Sequence, residues 1–325
     1  MTIRALATAA LATAALAPAA SAATSPMTIV YDKLDAVQQL VSPGGGAKGL
    51  SPARGAWRQD PGTGGMLDPA QDAEHGAPSR IAKVSGRELK DMSTDAIVAL
   101  LRREIRLGNA GASSHLVAID EIGRPFGDDP PDKRRLRRGM RLPAINPESP
   151  GSHLSAALQQ LNIPSPWGGT WASRVHVYIA PAVTTAIATG RGANRNLGRD
   201  GKPHFPTWRA VMPGLSLAGG LHLEMYSAPG GSIVPFSAGM WRAAPAAFLR
   251  LFNSYGGNSA NVHFVFTGGA GPADAPVGCG DAQACEWGLA ESTDAGRSIL
   301  ANGPDLYKIG TDAPSWLREF NARFD

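Results

Sequence analysis

Short apolar segments alternate with amphipathic segments along the chain after residue 79. Five apolar segments have the length and composition of strands: residues 80–84, 115–122, 174–180, 221–226 and 261–267. Residues 115–122 read His-Leu-Val-Ala-Ile-Asp-Glu-Ile and are apolar on both faces until the end of the segment. This pattern is typical of strands that are covered on both sides in a parallel sheet.

The segments between these strands have helical periodicity. One helix is predicted from a cap at Ser93 or Thr94 to about Leu107. Its apolar side chains share one face: Ile97, Leu100, Leu101 and Ile105. Further helices are predicted from a cap at Ser152 to about residue 161, and at residues 239–255, 283–301 and 313–323. Residues 42–79 are rich in Gly and Pro and are expected to be irregular.

Buried strands that alternate with helices predict an α/β protein with a parallel sheet. With two or three further strands, the pattern fits a (β/α)8 barrel of the TIM type that forms a single domain over residues 23–325. An open doubly wound parallel sheet is the alternative. We favour the barrel because the chain has neither Gly-x-Gly-x-x-Gly after a strand nor a P-loop motif. We therefore expect no cofactor.

Residues 1–22 have the three parts of a secretory signal peptide. Arg4 is their only charged residue, and the apolar run at residues 5–16 is shorter than the roughly 20 residues that span a bilayer. Ala20-Ser21-Ala22 forms a cleavage pattern. We predict a secreted or extracytoplasmic protein of bacterial type, with no membrane span and a mature chain that begins at Ala23.

Charge and cysteine content refine this prediction. The formal net charge is +4, and residues 128–141 carry six basic and three acidic side chains. A solvated loop is the favoured interpretation of this segment (its basic residues lie at 133–141), with a polyanion site as the alternative, and no nucleic-acid partner is expected. Cys279 and Cys285 are the only cysteines. In an exported chain, their short spacing predicts a local disulfide.

Three acidic residues stand at or near the ends of apolar strands. Asp120 and Glu121 end one strand, and Glu224 lies late in another. Active sites of parallel α/β folds lie at the carboxyl ends of the strands, and a pair of carboxylates is what glycosidic bond cleavage requires. Glu121 and Glu224 are therefore the predicted catalytic pair, with Asp120 as a further catalytic candidate. The alternative is a structural ion pair with Arg174 or Arg124.

Aromatic residues near the same strand ends are candidates for substrate contact. Tyr178 and Tyr226 lie late in their strands, and Trp287 follows Cys285-Glu286. Flat aromatic rings are common platforms for sugars, although Trp is also a frequent core residue. Trp241 and Trp316 lie in helical patterns and are expected to be in the core.

Four of the seven histidines stand near the beginning of predicted strands: His115, His176, His222 and His263. Alternation places His222 on the same strand face as Glu224, and His176 on the same face as Tyr178. A hydrogen-bonded layer below the mouth of a barrel is the favoured interpretation. A zinc site of His176, His222 and His263 is the alternative, although we expect no bound metal because catalytic ligands belong at the strand ends.

The strand endings Ala-Ile-Asp-Glu-Ile (118–122) and Leu-His-Leu-Glu-Met-Tyr (221–226) resemble acid-bearing strands of secreted (β/α)8 glycoside hydrolases. The resemblance implies hydrolysis of a polysaccharide or glycoconjugate. Such families often have Asn before the acid/base Glu, where this chain has Asp120. Two other functions stay open: a non-catalytic exported barrel that binds cell-envelope glycans or a protein partner, and a metal-dependent hydrolase.

Overall fold

A computed structural model describes residues 28–32, 55–59, 80–107, 115–127, 144–181, 183–184, 187, 208–225, 238–267 and 282–307. Within these ranges it contains eight strands: β1 (Thr28–Asp32), β2 (Gly55–Gln59), β3 (Arg80–Ser85), β4 (Val117–Ile122), β5 (Val175–Ile179), β6 (Gly220–Glu224), β7 (Val262–Thr267) and β8 (Asp305–Tyr307). Each strand pairs in parallel with the next, and β8 pairs with β1, so the strands close into a barrel in sequence order. The predicted α/β class with a parallel sheet is confirmed.

Helices follow the strands from β3 to β7. They are α1 (Gly86–Leu89), α2 (Thr94–Leu107), α3 (Pro150–Gln160), α4 (Met212–Leu215), α5 (Ala238–Ser254), α6 (Ala282–Glu291) and α7 (Asp294–Leu300). Ser93 caps α2 as predicted, because its Oγ accepts a hydrogen bond from the Ala96 N–H at 3.3 Å. Among the described helices, none is long and apolar enough to cross a membrane.

Two helix boundaries differ from the prediction. The N-cap of α3 is Ser149, whose Oγ accepts a hydrogen bond from the Ser152 N–H, and Pro150 occupies the first turn. Proline has no N–H to lose at that position, which favours the earlier start. The single helix predicted at residues 283–301 is divided into α6 and α7, because the Thr293 side chain caps a new helix.

The prediction that residues 42–79 are irregular is wrong for β2. This strand, Gly-Ala-Trp-Arg-Gln, pairs with β1 on one side and β3 on the other. The strand prediction also missed β1 and the three-residue β8. Such short strands form because their backbones pair with two neighbouring strands. Their own side-chain pattern is too short to predict a strand.

The barrel buries apolar side chains on both sides of the sheet. Outward-facing residues such as Ile119 and Val177 join the main core with the helix residues Ile97 and Leu158. A separate small cluster lies on the other face of the sheet. Its residues come from β3, β4, β5 and β7, together with the residue that precedes β4: Ile81, Leu116, Ala118, Tyr178 and Val265. This two-sided burial is the reason that the strands are nearly continuous apolar segments in the sequence.

Candidate functional site

A hydrogen-bonded cluster of polar side chains lies inside the barrel, and we call it the histidine layer: His176, Tyr178, His222, His263 and Asp305. His222 is central, because its Nε2 lies 2.8 Å from His176 Nδ1 and its Nδ1 contacts the Asp305 carboxylate. The Tyr178 hydroxyl donates to the same carboxylate at 3.2 Å. The His222 ring stacks between Tyr178 and His263, with ring centroids 4.5 and 5.0 Å away. The predicted hydrogen-bonded layer is thus confirmed for His176 and His222, and His263 stacks against it, whereas His115 stacks on Trp167 instead.

Burial keeps two histidines of this layer uncharged at neutral pH. The pKa of His176 is well below its usual value, first because of burial and then because of repulsion from His222, His263 and Arg174. Burial also lowers the pKa of His263 to about 4, although its Nδ1 lies 2.9 Å from the Gly303 carbonyl oxygen. A neutral His176 carries one ring N–H, so the tautomer of each ring decides whether its Nδ1 donates to His222 Nε2 or accepts from it.

The donor arrangement in this layer does not match the zinc hypothesis. His222 uses both ring nitrogens in contacts with His176 and Asp305. Zinc coordination by His222 would require one of these contacts to break. Within the described residues, no three His, Cys, Asp or Glu side chains form a group that could hold a metal ion.

The three predicted acids lie at the carboxyl ends of β4 and β6, in three different environments. Asp120 pairs with Lys83 on β3, with 2.6 Å between Oδ2 and Nζ and side-chain exposures of 19% and 11%. Glu121 is exposed, whereas Glu224, the last residue of β6, is 2% exposed. The structural ion pair that was the alternative interpretation is therefore present at Asp120, with Lys83 as a partner.

A bulge at the end of β4 sets the position of Glu121. The register of β4 against β5 shifts between Ile119 and Ile122, and Glu121 has a φ of 52°. This left-handed conformation is uncommon outside glycine, and bulges of this kind turn a side chain in a new direction. Gly86 fits closely against the bulge: a Cβ at that position would lie 2.4 Å from the Glu121 carbonyl oxygen and 2.9 Å from that of Asp120.

The strand order brings the acids of β4 and β6 to the same end of the barrel. β5 pairs with both strands, so their backbones are about 10 Å apart at the usual strand spacing. Carboxylate pairs in glycosidases are separated by about 5 Å in retaining enzymes and up to about 9.5 Å in inverting ones. Side chains that converge from β4 and β6 can reach this range.

The structure changes the assignment of the predicted aromatic contacts. Trp287 is 1% exposed and packs against Phe266, with ring centroids 4.8 Å apart. The prediction that Trp287 contacts substrate therefore does not agree with its position, because α6 turns its ring into the core against the sheet. Tyr178 is 1% exposed and belongs to the histidine layer. Trp241 lies in the core, as predicted.

Several predicted features lie wholly or partly outside the described residues. These are the signal peptide at residues 1–22, the basic segment at 133–141, Tyr226, Trp316 and Cys279. Cys285 lies in α6 and Cys279 lies outside the described residues, so the disulfide between them stays a prediction.

Two participants in this region were not predicted from the sequence. Ile81, Lys83 and Ser85 alternate with the other residues of β3 and therefore share one face of the strand. This alternation is the sequence signal that could have identified Lys83 as a cation on that face. Asp305 begins a strand of three residues directly after Gly303-Pro304. A segment this short has no alternation from which a strand could be predicted.

Comparison with known proteins does not assign a family to this chain. No family model and no curated protein matches it. Among solved structures, the endo-β-N-acetylglucosaminidase from Cordyceps militaris is 11% identical, with a TM-score of 0.46 over 92% of this chain and 91% of that one. The C-terminal domain of a chitinase-like protein from Desulfitobacterium hafniense DCB-2 is 13% identical, with a TM-score of 0.39 over 75% and 67%. Neither similarity is close enough to assign an activity.

Proposed function

We propose that this protein is a secreted glycoside hydrolase with a (β/α)8 barrel of the TIM type, which cleaves a polysaccharide or glycoconjugate with Glu121 and Glu224. The observation that carries this proposal is the set of acids at the ends of β4 and β6. One is exposed on a bulge, one is ion-paired and one is buried. Glycosidic cleavage needs two carboxyl groups whose environments give them different roles.

The environments support a division of roles between the acids. Removal from water disfavours a charged carboxylate, so Glu224 is suited to hold the proton that passes to the leaving-group oxygen. Glu121 is exposed on its bulge and is suited to act as the nucleophile or as the base that activates water. Asp120 pairs with the Lys83 ammonium beside Glu121, and its negative charge stabilises positive charge that develops on the sugar ring.

Amide substitution of each acid tests this pair, once a panel of glycans has supplied a substrate. Glu121→Gln and Glu224→Gln should each lower turnover by about 10²-fold or more, because each removes an ionisable group at nearly constant shape. The double variant should be little worse than the worse single variant, since the two groups act as a unit. Thermal unfolding of each variant checks that the fold is intact.

Glu88→Gln is the matched control, because Glu88 is exposed on α1, the helix that directly follows β3. It removes a carboxylate near the same end of the barrel and should leave turnover unchanged. Near-normal turnover in either Glu121→Gln or Glu224→Gln would exclude the paired mechanism. Glycan binding without any hydrolysis would favour the alternative of a non-catalytic barrel.

Export is part of the same proposal. We propose that residues 1–22 direct the chain out of the cytoplasm and are removed, that residues 23–325 form a single domain, and that Cys279 and Cys285 form a disulfide there. The observations that support it are the single charge at Arg4, the short apolar run and the Ala20-x-Ala22 pattern.

A further inference from the structure

A basic and aromatic surface lies on the side of the barrel from which β4 and β5 begin, opposite the strand ends that carry the acids. We call it the amino-end surface, and six residues define it: Arg102, Arg106, Leu107, Ile163, Trp167 and Arg174. The first three lie in the last turns of α2, and the others lie between α3 and β5. Trp171 joins the two parts, because its ring lies under both arginines of α2 and contacts Trp167 edge to face at 5.5 Å.

The segment that carries Trp167 is held by many hydrogen bonds. The Trp171 N–H donates to the Ile163 carbonyl oxygen at 3.0 Å, and the Ser165 N–H donates to that of Gly169 at 2.9 Å. The Trp167 ring stacks on His115, with centroids 4.0 Å apart. This part of the surface is therefore preformed, and binding there would require little loss of conformational entropy.

The arginines of this surface contact an aromatic ring and backbone carbonyl oxygens. The guanidinium carbons of Arg102 and Arg106 lie 5.4 and 5.3 Å from the Trp171 ring centroid. Within the described part of the chain, neither arginine has a carboxylate partner, and Arg174 donates to the carbonyl oxygens of Trp167 and Gly168. Two like charges one helical turn apart over the same ring repel each other, and a bound anionic group would relieve that repulsion.

Aliphatic side chains are exposed beside these charges. Leu107 is 65% exposed and Ile163 is 44% exposed. They are two of the three large apolar residues that are exposed in the described part of the chain. Arginine, tryptophan and exposed aliphatic side chains on one surface are the combination that binds the interface of an anionic bilayer. A soluble polyanion would make no use of the aliphatic side chains.

We propose that the amino-end surface docks the protein reversibly on an anionic lipid surface, with Arg102, Arg106 and Arg174 against the headgroups and Leu107 and Ile163 at the acyl boundary. In this orientation the carboxyl ends of the strands, with Asp120, Glu121 and Glu224, face away from the lipid. The proposal uses no residue of the acid-bearing end, so it stands independently of the proposed hydrolase activity.

Vesicle co-sedimentation of the full chain tests this docking. Binding is expected to vesicles of phosphatidylcholine mixed with phosphatidylglycerol, and not to phosphatidylcholine alone, and it should weaken as salt is added. Arg102→Gln with Arg106→Gln should weaken binding by about tenfold or more. Arg102→Lys with Arg106→Lys retains both charges and should retain most of the binding. Leu107→Ser should weaken binding without changing its dependence on salt.

Arg242→Gln with Arg250→Gln is the matched control, because it removes two exposed arginines from α5, away from this surface. Equal loss of binding in this control would overturn the proposal, and so would an absence of binding to the anionic vesicles. Normal binding by Leu107→Ser, together with complete displacement by a soluble acidic polysaccharide, would show a general polyanion site and would also overturn it. Circular dichroism checks the fold of every variant.

Discussion

The buried histidines make the stability of this protein depend on pH. His263 is 5% exposed, and its pKa is about 4 in the folded protein against a usual value of 6.5. The unfolded chain therefore binds more protons than the folded chain between these two values. Stability must then fall as the pH is lowered from about 6.5 to about 4. The shift corresponds to about 3 kcal/mol at its full extent.

His263→Asn is expected to reduce this pH dependence, because it removes the group that must charge on unfolding. The free energy of unfolding should change less between pH 7 and pH 4.5 in the variant than in the parent, by about 2–3 kcal/mol. Urea unfolding at a series of pH values measures the difference. His153→Asn is the control, since His153 is only half-buried and lies between the Met92 carbonyl oxygen and Glu148. Identical pH profiles for His263→Asn and the parent would contradict this account.

At the scale of single elements, the junction between β3 and α1 determines the position of the acids of β4. Gly86 begins α1, and it lies against the carbonyl oxygens of Asp120 and Glu121. The Ser85 side chain caps the same helix by accepting from the Arg87 N–H at 3.2 Å. The bulge and the helix start are thus packed as one unit, and no side chain fits between them.

Gly86→Ala is expected to destabilise the protein by about 1–3 kcal/mol, because the new Cβ cannot be placed without displacing the β4 backbone. If the proposed activity is present, turnover should fall as well, since Glu121 would move. Gly288→Ala provides the control: a Cβ there meets nothing within 4 Å, and alanine is the better helix former, so stability should rise slightly. Urea unfolding measures both variants, and equal stability of Gly86→Ala and the parent would show that the bulge adapts.

At the scale of the whole molecule, the barrel separates two surfaces with different properties. The acids lie where β4 and β6 end, and the amino-end surface lies where β4 and β5 begin. The histidine layer and the small apolar cluster fill the space inside the barrel between them. A barrel interior that is packed with side chains stabilises the fold, so the two ends of the barrel can have separate functions.

Export would expose this whole molecule to an oxidising compartment. We expect the exported protein to begin at Ala23 and to contain no free thiol when it is denatured without reductant. N-terminal sequencing of protein from the medium or periplasm checks the first point, and thiol titration checks the second. An intact Met1 on the exported protein would exclude cleavage, and two titratable thiols would exclude the disulfide.

The sequence determined the elements whose side-chain pattern is strong. The core strands β4, β5, β6 and β7 are buried on both faces, so they were visible as apolar segments, and the 3.6-residue periodicity of α2 fixed its buried face. The parallel α/β class follows from that alternation. Part of the histidine layer was also predictable, because alternation along β5 and β6 placed His176 with Tyr178 and His222 with Glu224 on one strand face.

Only the tertiary structure decided what depends on partners distant in the sequence. Pairing with neighbouring strands determines β1, β2 and β8, and those three strands complete the barrel. Packing of α6 on the sheet buries Trp287, and the Lys83 partner of Asp120 comes from another strand. The left-handed backbone at Glu121 arises from a register shift against β5 and close packing on Gly86. A one-dimensional pattern records the polarity of each residue, whereas these features depend on which residues the closed barrel brings together.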